Sequence, residues 1–176
     1  INGRGEHLTF GGQVMKNVAG YDVSRVLAGS WGTLGVVTEV SLKVLAFAPS
    51  EASLVCQLPQ HAALQLLHRW GGQPLPLNAS CWLCEPGASG GRLTVRLRGA
   101  QAAVQAALPK MQADVQAQGG QAQAADAEAA MFFWDALRNQ QHAFFTQAPS
   151  QNDCLWRLSV AQTSPVLDIP YAQCVE

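Results

Sequence analysis

The sequence predicts an α+β fold in two parts, and three observations predict it. A glycine-rich stretch runs straight into an alternating apolar segment, Val36 to Leu45. Ala48-Pro49-Ser50 then breaks the pattern. Beyond the break, segments of period two and period 3.6 follow one another along the chain. At 176 residues the chain suits one ordinary domain, or a small domain with part of another. The break divides residues 1–49 from 50–176.

In the first part, Glu6 to Phe10 reads as a short strand leading to a turn at Gly11-Gly12. Asp22 is a good N-cap for a short helix over Val23 to Ala28, and Gly29 is a good stop. From there the alternation is strict. Val36, Thr38, Val40, Leu42 and Val44 share one face of an expected strand, and Val37, Glu39, Ser41 and Lys43 share the other.

In the second part, Leu54, Cys56 and Leu58 alternate as a strand. Gln60 to Trp70 is helical, with Ala63, Leu66, Leu67 and Trp70 on one face, and Gly71-Gly72 ends it. Asn78 to Cys84 reads as a strand, Glu85 to Gly91 as a loop, and Leu93, Val95 and Leu97 as a half-exposed strand. The Ala/Gln-rich segment Ala100 to Gln118 is helical, stopped by Gly119-Gly120, and Pro109 is expected to kink or split it. A short edge strand over Gln121 to Ala125, one long helix over Ala127 to Phe145, and a last strand at Trp156, Leu158 and Val160 complete the reading. The order strand, helix, strand, strand, helix, strand is that of a ferredoxin-like antiparallel layer. Its expected core holds Leu54, Leu66, Val95, Leu97, Val104, Trp156 and Leu158. Arg92, Thr94, Arg96 and Arg98 then face away from it, as a solvated face or as one that attracts an anionic substrate.

Bulk properties narrow the function. A net charge of −1 gives no electrostatic case for nucleic acid. No apolar run approaches the roughly 20 residues of a membrane helix. Five cysteines, an odd count without a secretory leader, favour reduced thiols in a cytosolic protein. Cys81-Trp-Leu-Cys84 has no second cysteine pair or nearby histidines to make a metal site, and on a strand its two thiols point to opposite faces. His61 and His68 lie near one helix face, and His142 near a helix end, without a metal-ligand spacing. The cluster Met131-Phe-Phe-Trp134 with Phe144-Phe145 is either core or a contact surface for a partner.

The recurrence of Gly29, Gly32 and Gly35 fits neither helix nor strand. It is not the Gly-x-Gly-x-x-Gly of a dinucleotide fold, and a strand rather than a helix is expected to follow it. By spacing alone it is a ligand-free turn. Read together, Lys16-Asn-Val-Ala-Gly-Tyr-Asp22 and Gly29-Ser-Trp-Gly-Thr-Leu-Gly-Val-Val-Thr-Glu39 resemble the second half of the FAD-binding domain of the vanillyl-alcohol-oxidase type. Within that superfamily of FAD-linked oxidases, the residues are most similar to the FAD-binding subunits of bacterial glycolate oxidases.

The resemblance implies an FAD-dependent oxidoreductase acting on a 2-hydroxy acid, with the electrons leaving through other flavin and iron–sulfur subunits. It implies that Gly20, Tyr21, Gly29, Ser30, Gly32, Thr33, Gly35 and Val37 line the FAD cleft. Lys16 is a further candidate for phosphate or carboxylate, and Trp31 stands where the family often has Glu. It also implies that the first half of the flavin domain, with its pyrophosphate loop, lies upstream of Ile1. The expected location is cytoplasmic, meeting the inner face of the membrane only through partner subunits. No catalytic base and no metal ligand are identifiable. A D-lactate-type dehydrogenase and a non-catalytic subunit-docking domain are the alternatives.

Overall fold

The computed structural model describes residues 1–11, 20, 22–84, 90–146, 154–161 and 163–167. The chain forms two compact units, residues 1–46 and 47–176.

In the first unit, helix α1 spans Val23–Leu27. Asp22 caps it, accepting hydrogen bonds from the N–H groups of Ser24 and Arg25 at 3.1 and 3.4 Å. The expected strands at Glu6 to Phe10 and Val36 to Leu45 do not form. Both have strand patterning, but a strand exists only where a neighbour supplies the ladder of backbone hydrogen bonds. Among the described residues backbone bonds reach these segments only at their first residues, Glu6 from Asn2 and Val36 from Ile1, so no ladder runs along either, and Val40, Leu42 and Val44 stand exposed.

The second unit is α+β. Its elements are β1 (Ser50–Leu58), α2 (Gln60–Gly71), β2 (Leu77–Cys84), β3 (Gly91–Gly99), α3 (Gln101–Ala117), β4 (Gln121–Ala124), α4 (Ala127–Arg138) and α5 (Ala143–Thr146). The sheet order is β2-β3-β1-β4 with antiparallel neighbours throughout. Together with the connectivity, this is the order and direction that a ferredoxin-like layer requires. The central pair β1 and β3 runs in unbroken register from Ser50 opposite Gly99 to Leu58 opposite Gly91.

Period two splits the sheet into two faces. Leu54, Cys56, Leu58, Leu93, Val95 and Leu97 point to one side and pack against Ala63, Leu66 and Trp70 of α2 and Val104, Met111 and Val115 of α3. Burying a side chain of this size contributes about 1.5–3 kcal/mol, so this layer holds most of the unit's stability. Asp114 ties the two helices together, accepting from the Trp70 indole at 2.8 Å and pairing with Arg69 at 2.7 Å. Helix α3 runs unbroken through Pro109. Proline removes one helical hydrogen bond there, while the buried face on either side of it keeps the helix docked. Gly119 ends α3 at φ +75°, and the N–H groups of Gly119 and Gly120 return to the carbonyls of Gln116 and Val115.

Three further expectations are corrected. The long helix over Ala127 to Phe145 is two helices. Gln140 adopts φ 56°, and the N–H groups of Gln140 and Gln141 turn back to the carbonyls of Leu137 and Ala136. That is a left-handed C-terminal cap made without glycine. The last strand is also absent: Trp156, Leu158 and Val160 lie in a segment without strand pairing, and Trp156 is 79% exposed. Trp156 and Leu158 are therefore not core. Finally, the face bearing Arg92, Thr94, Arg96 and Arg98 is not simply solvated. Helix α4 packs on it through Ala130 and Trp134, which bury against Cys81 and Leu83 with Phe133 and Leu137 beside them. Thr94 is buried as a result.

Candidate cofactor-binding segment

The candidate residues Gly29 to Thr33 form a turn after α1, while Gly35 and the exposed Val37 follow it in irregular chain. The Ser30 N–H donates to the Leu27 carbonyl at 3.2 Å and closes the helix. Ser30 then accepts at its carbonyl from the Thr33 N–H at 3.0 Å and from the Thr33 hydroxyl at 2.6 Å. The two residues between them, Trp31 and Gly32, have φ of 54° and 75°. Two positive φ values at the centre of a hydrogen-bonded turn mark the type I′ family. Glycine suits that conformation, whereas tryptophan is strained there. The Trp31 side chain is 97% exposed, so no packing offsets the strain.

Gly35 has φ +155°, and a Cβ on it would stand 2.6 Å from the Ile1 carbonyl oxygen. Local backbone packing thus accounts for glycine at this position. Gly29 and Gly32 differ: a Cβ at either would meet nothing within 4 Å. Their backbone is open to an outside group, which fits a flat or anionic ligand laid against the chain. The Thr33 hydroxyl donates within the turn. Gly20 is exposed and also has positive φ. Tyr21, Lys16 and Asn17 lie outside the described residues.

Asp22 acts as a helix cap. The Ser24 hydroxyl, the first cause, and the backbone N–H groups and Arg25 cation beside it hold its carboxyl below the usual carboxylate range.

The second unit carries its polar groups on the α4 side of the sheet. Ser53 on β1 is buried and accepts from the Trp134 indole N–H at 2.9 Å. Arg96 lies over the Trp134 ring at 5.1 Å and donates through Nε to Asn78 at 2.8 Å. Arg92 lies over Phe133 at 5.7 Å. Arg98 pairs with Glu51 at 3.3 Å and lies over Phe47 at 5.4 Å. A pocket of about 190 Å³ opens beside this face, lined by Glu51, Ala52, Ser53, Ala125, Ala127 and Ala130. The arginine row is thus held by aromatic rings and neighbouring polar groups. The sequence signal for this second layer was available in the spacing of Ala130, Phe133, Trp134 and Leu137, which marks one apolar face of α4.

Cys81 and Cys84 do point to opposite faces: Cys81 buries under α4, while Cys84 packs with the main core. Neither forms a disulfide, nor do Cys56 and Cys154. Burial pushes the Cys56 thiol up to about 12 and the Cys81 thiol up to about 11, the latter opposed by nearby Arg92. His61 and His68 are exposed on α2. His142 accepts the Phe144 N–H on its Nδ1 at 3.2 Å and so caps α5. Among the described residues no group of His, Cys, Asp and Glu is placed to hold a metal ion. No helix of the described residues is long and apolar enough to cross a membrane. The cluster at 131–134 divides between two environments: Trp134 is buried, while Met131 and Phe132 are 58% and 61% exposed.

By sequence, the chain is similar to glycolate oxidase subunits and to a D-lactate dehydrogenase. It is 39% identical over all 176 residues to glycolate oxidase subunit GlcE of Escherichia coli (strain K12), and spans 44% of that protein's length. Shorter matches join it to glycolate oxidase subunit GlcD of Bacillus subtilis (strain 168), 49% identical over 41 residues, which are 23% of this chain and 9% of GlcD. The mitochondrial D-lactate dehydrogenase [cytochrome] of Arabidopsis thaliana is 43% identical over 44 residues, 25% of this chain and 8% of that protein. No family model matches the chain.

Proposed function

We propose that this chain is part of an FAD-binding subunit of a 2-hydroxy-acid dehydrogenase of the glycolate oxidase type. The observation that carries the reading is the 39% identity to GlcE along the whole chain. In this reading residues 1–49 close the flavin domain, and residues 50–176 form the cap on the substrate side. Gly20, Tyr21, Gly29, Ser30, Gly32, Thr33, Gly35 and Val37 line the cofactor. The open backbone at Gly29 and Gly32 supports it, because a cofactor can approach the main chain where no side chain stands in the way.

Bound FAD supplies the acceptor for the hydride that leaves C2 of glycolate or a related 2-hydroxy acid. This chain's part is to position it: the Ser30–Thr33 turn sets the backbone, and the Asp22 cap fixes the helix that feeds into the turn. Electrons then pass to partner flavin and iron–sulfur subunits of a cytoplasmic assembly, which meets the membrane only through those partners. A D-lactate-type substrate is the variant of this reading that the Arabidopsis match supports. A subunit-docking role is supported by the exposed Met131 and Phe132 on α4.

Flavin content of the full-length protein tests the cofactor reading. Gly32→Ala and Gly32→Val both place a Cβ at φ +75°, and that Cβ meets nothing within 4 Å in this structure. If FAD lies against this backbone, flavin absorbance per protein falls, and falls further for Val than for Ala. Full flavin content in a folded Gly32→Val protein returns the segment to a ligand-free turn.

A further inference from the structure

Two non-glycine residues with positive φ stand among the described ones, Trp31 at 54° and Gln140 at 56°. Gln140 has a local reason, since its turn closes α4. The turn at Trp31 supplies no such reason. Trp31 occupies the first central position between Ser30 and Thr33, where glycine, asparagine or aspartate is the ordinary choice. A bulky side chain in the left-handed region is an outlier, and strain of this kind clusters at ligand sites. The indole is also 97% exposed, so the ring gains no burial in return.

The surroundings of the ring indicate what kind of group would cover it. Gly29 and Gly32 flank it in the chain, and a Cβ on either would meet nothing within 4 Å. The backbone next to the indole is therefore bare, and a planar group can lie on it in contact with the ring. From residue 22 to residue 37 the only charged side chains are Asp22 and Arg25, which pair with each other at 3.1 Å. That stretch holds no second cation for a phosphate, so it suits a flat ring and not the pyrophosphate of a dinucleotide. Tryptophan recognises such rings by stacking on their π-faces.

We propose that Trp31 is a stacking residue of the cofactor site: its indole lies against a planar ring of FAD, adenine or isoalloxazine, laid on the bare backbone of Gly29 and Gly32. The inference rests on the cofactor reading above and adds to it the side chain of the turn that strain and exposure single out. In the bound form the indole is buried between chain and ring, and that burial offsets the strain of its backbone. Trp31 positions the cofactor; it moves no proton and no electron.

The full-length protein, stripped of flavin and titrated with FAD, tests the stacking. Trp31→Ala keeps the positive φ and removes the ring, whereas Trp31→Phe keeps both. Trp31→Ala is expected to raise the FAD dissociation constant about tenfold or more, and Trp31→Phe to stay within about threefold of the parent. Urea unfolding of the same apoproteins reads folding separately. Trp31→Gly relieves the backbone, so it is expected to unfold no earlier than the parent and yet to lose FAD affinity as Trp31→Ala does. Parental FAD affinity in Trp31→Ala, or equal loss in Trp31→Ala and Trp31→Phe, overturns the stacking. If Gly32→Val still loses flavin, the cofactor reading survives that result; full flavin in Gly32→Val removes the reading itself. ADP and riboflavin, used as competitors, assign the ring. Trp31→Ala weakens the one whose ring is stacked, and weakening of neither overturns the proposal.

Discussion

The Trp134 indole donates its N–H to the Ser53 hydroxyl at 2.9 Å, joining α4 to β1 across a separation of 81 residues. Both residues are buried. The bond satisfies the only polar hydrogen of the indole, and so lets a large ring lie flat on the sheet face that carries Arg96. It is the fastening of the second layer of the fold.

Removing the acceptor tests that fastening. Ser53→Ala leaves the buried indole N–H without a partner and is expected to cost about 1–3 kcal/mol in urea unfolding. Adding Trp134→Phe to Ser53→Ala is expected to cost less than the two single changes summed, because the second change removes the orphaned donor. Strict additivity would show that the bond contributes nothing.

Gly91 is expected to tolerate no side chain. A Cβ there would stand 2.1 Å from the Trp82 ring, whose Nε1 donates to the Leu58 carbonyl at 3.0 Å. Gly91→Ala must displace that ring from the core, so unfolding is expected to ease by about 2 kcal/mol or more. Gly90→Ala, where nothing lies within 4 Å, is the control and should unfold close to the parent.

Arg96 distinguishes a structural arginine from a substrate-binding one. It is held by Asn78 and by the Trp134 ring. Arg96→Ala is therefore expected to lower stability by about 1 kcal/mol and leave the substrate KM of the full-length enzyme unchanged. A KM rise of tenfold or more at unchanged stability would instead assign the guanidinium to carboxylate recognition.

The thiols make a pH prediction. Cys56 and Cys81 have folded pKa values of about 12 and about 11, above the ordinary value of 9.0. Between pH 9 and these values the folded chain keeps protons that the unfolded chain has lost. Their contribution to stability is complete below pH 9 and declines as pH rises toward 11 and 12. In the native protein at pH 8, a thiol reagent is expected to modify exposed Cys154 quickly and Cys56 and Cys81 far more slowly. Denaturation without reductant should expose every thiol. Rapid native labelling of Cys56 would show that its side of the core opens.

The sequence by itself determined the order of elements from β1 to β4 and most of the main core. Leu54, Leu66, Val95, Leu97 and Val104 are all buried, as their periodicity required, because alternation and helical spacing are properties of a single segment. It also carried the resemblance to FAD-linked oxidases, through residues around the glycine turn. It could not determine what each patterned segment pairs with. Val36 to Leu45 and Trp156 to Val160 alternate as well as β3 does, yet only β3 lies between two partners. A strand is a relation between segments, and hydrogen-bond partners are chosen in three dimensions. Tertiary structure likewise decided that α4 covers the arginine face, that Gln140 ends a helix no glycine marks, and that Gly35 serves the Ile1 backbone. Each depends on a neighbour distant in the chain or on a local conformation that side-chain pattern does not encode.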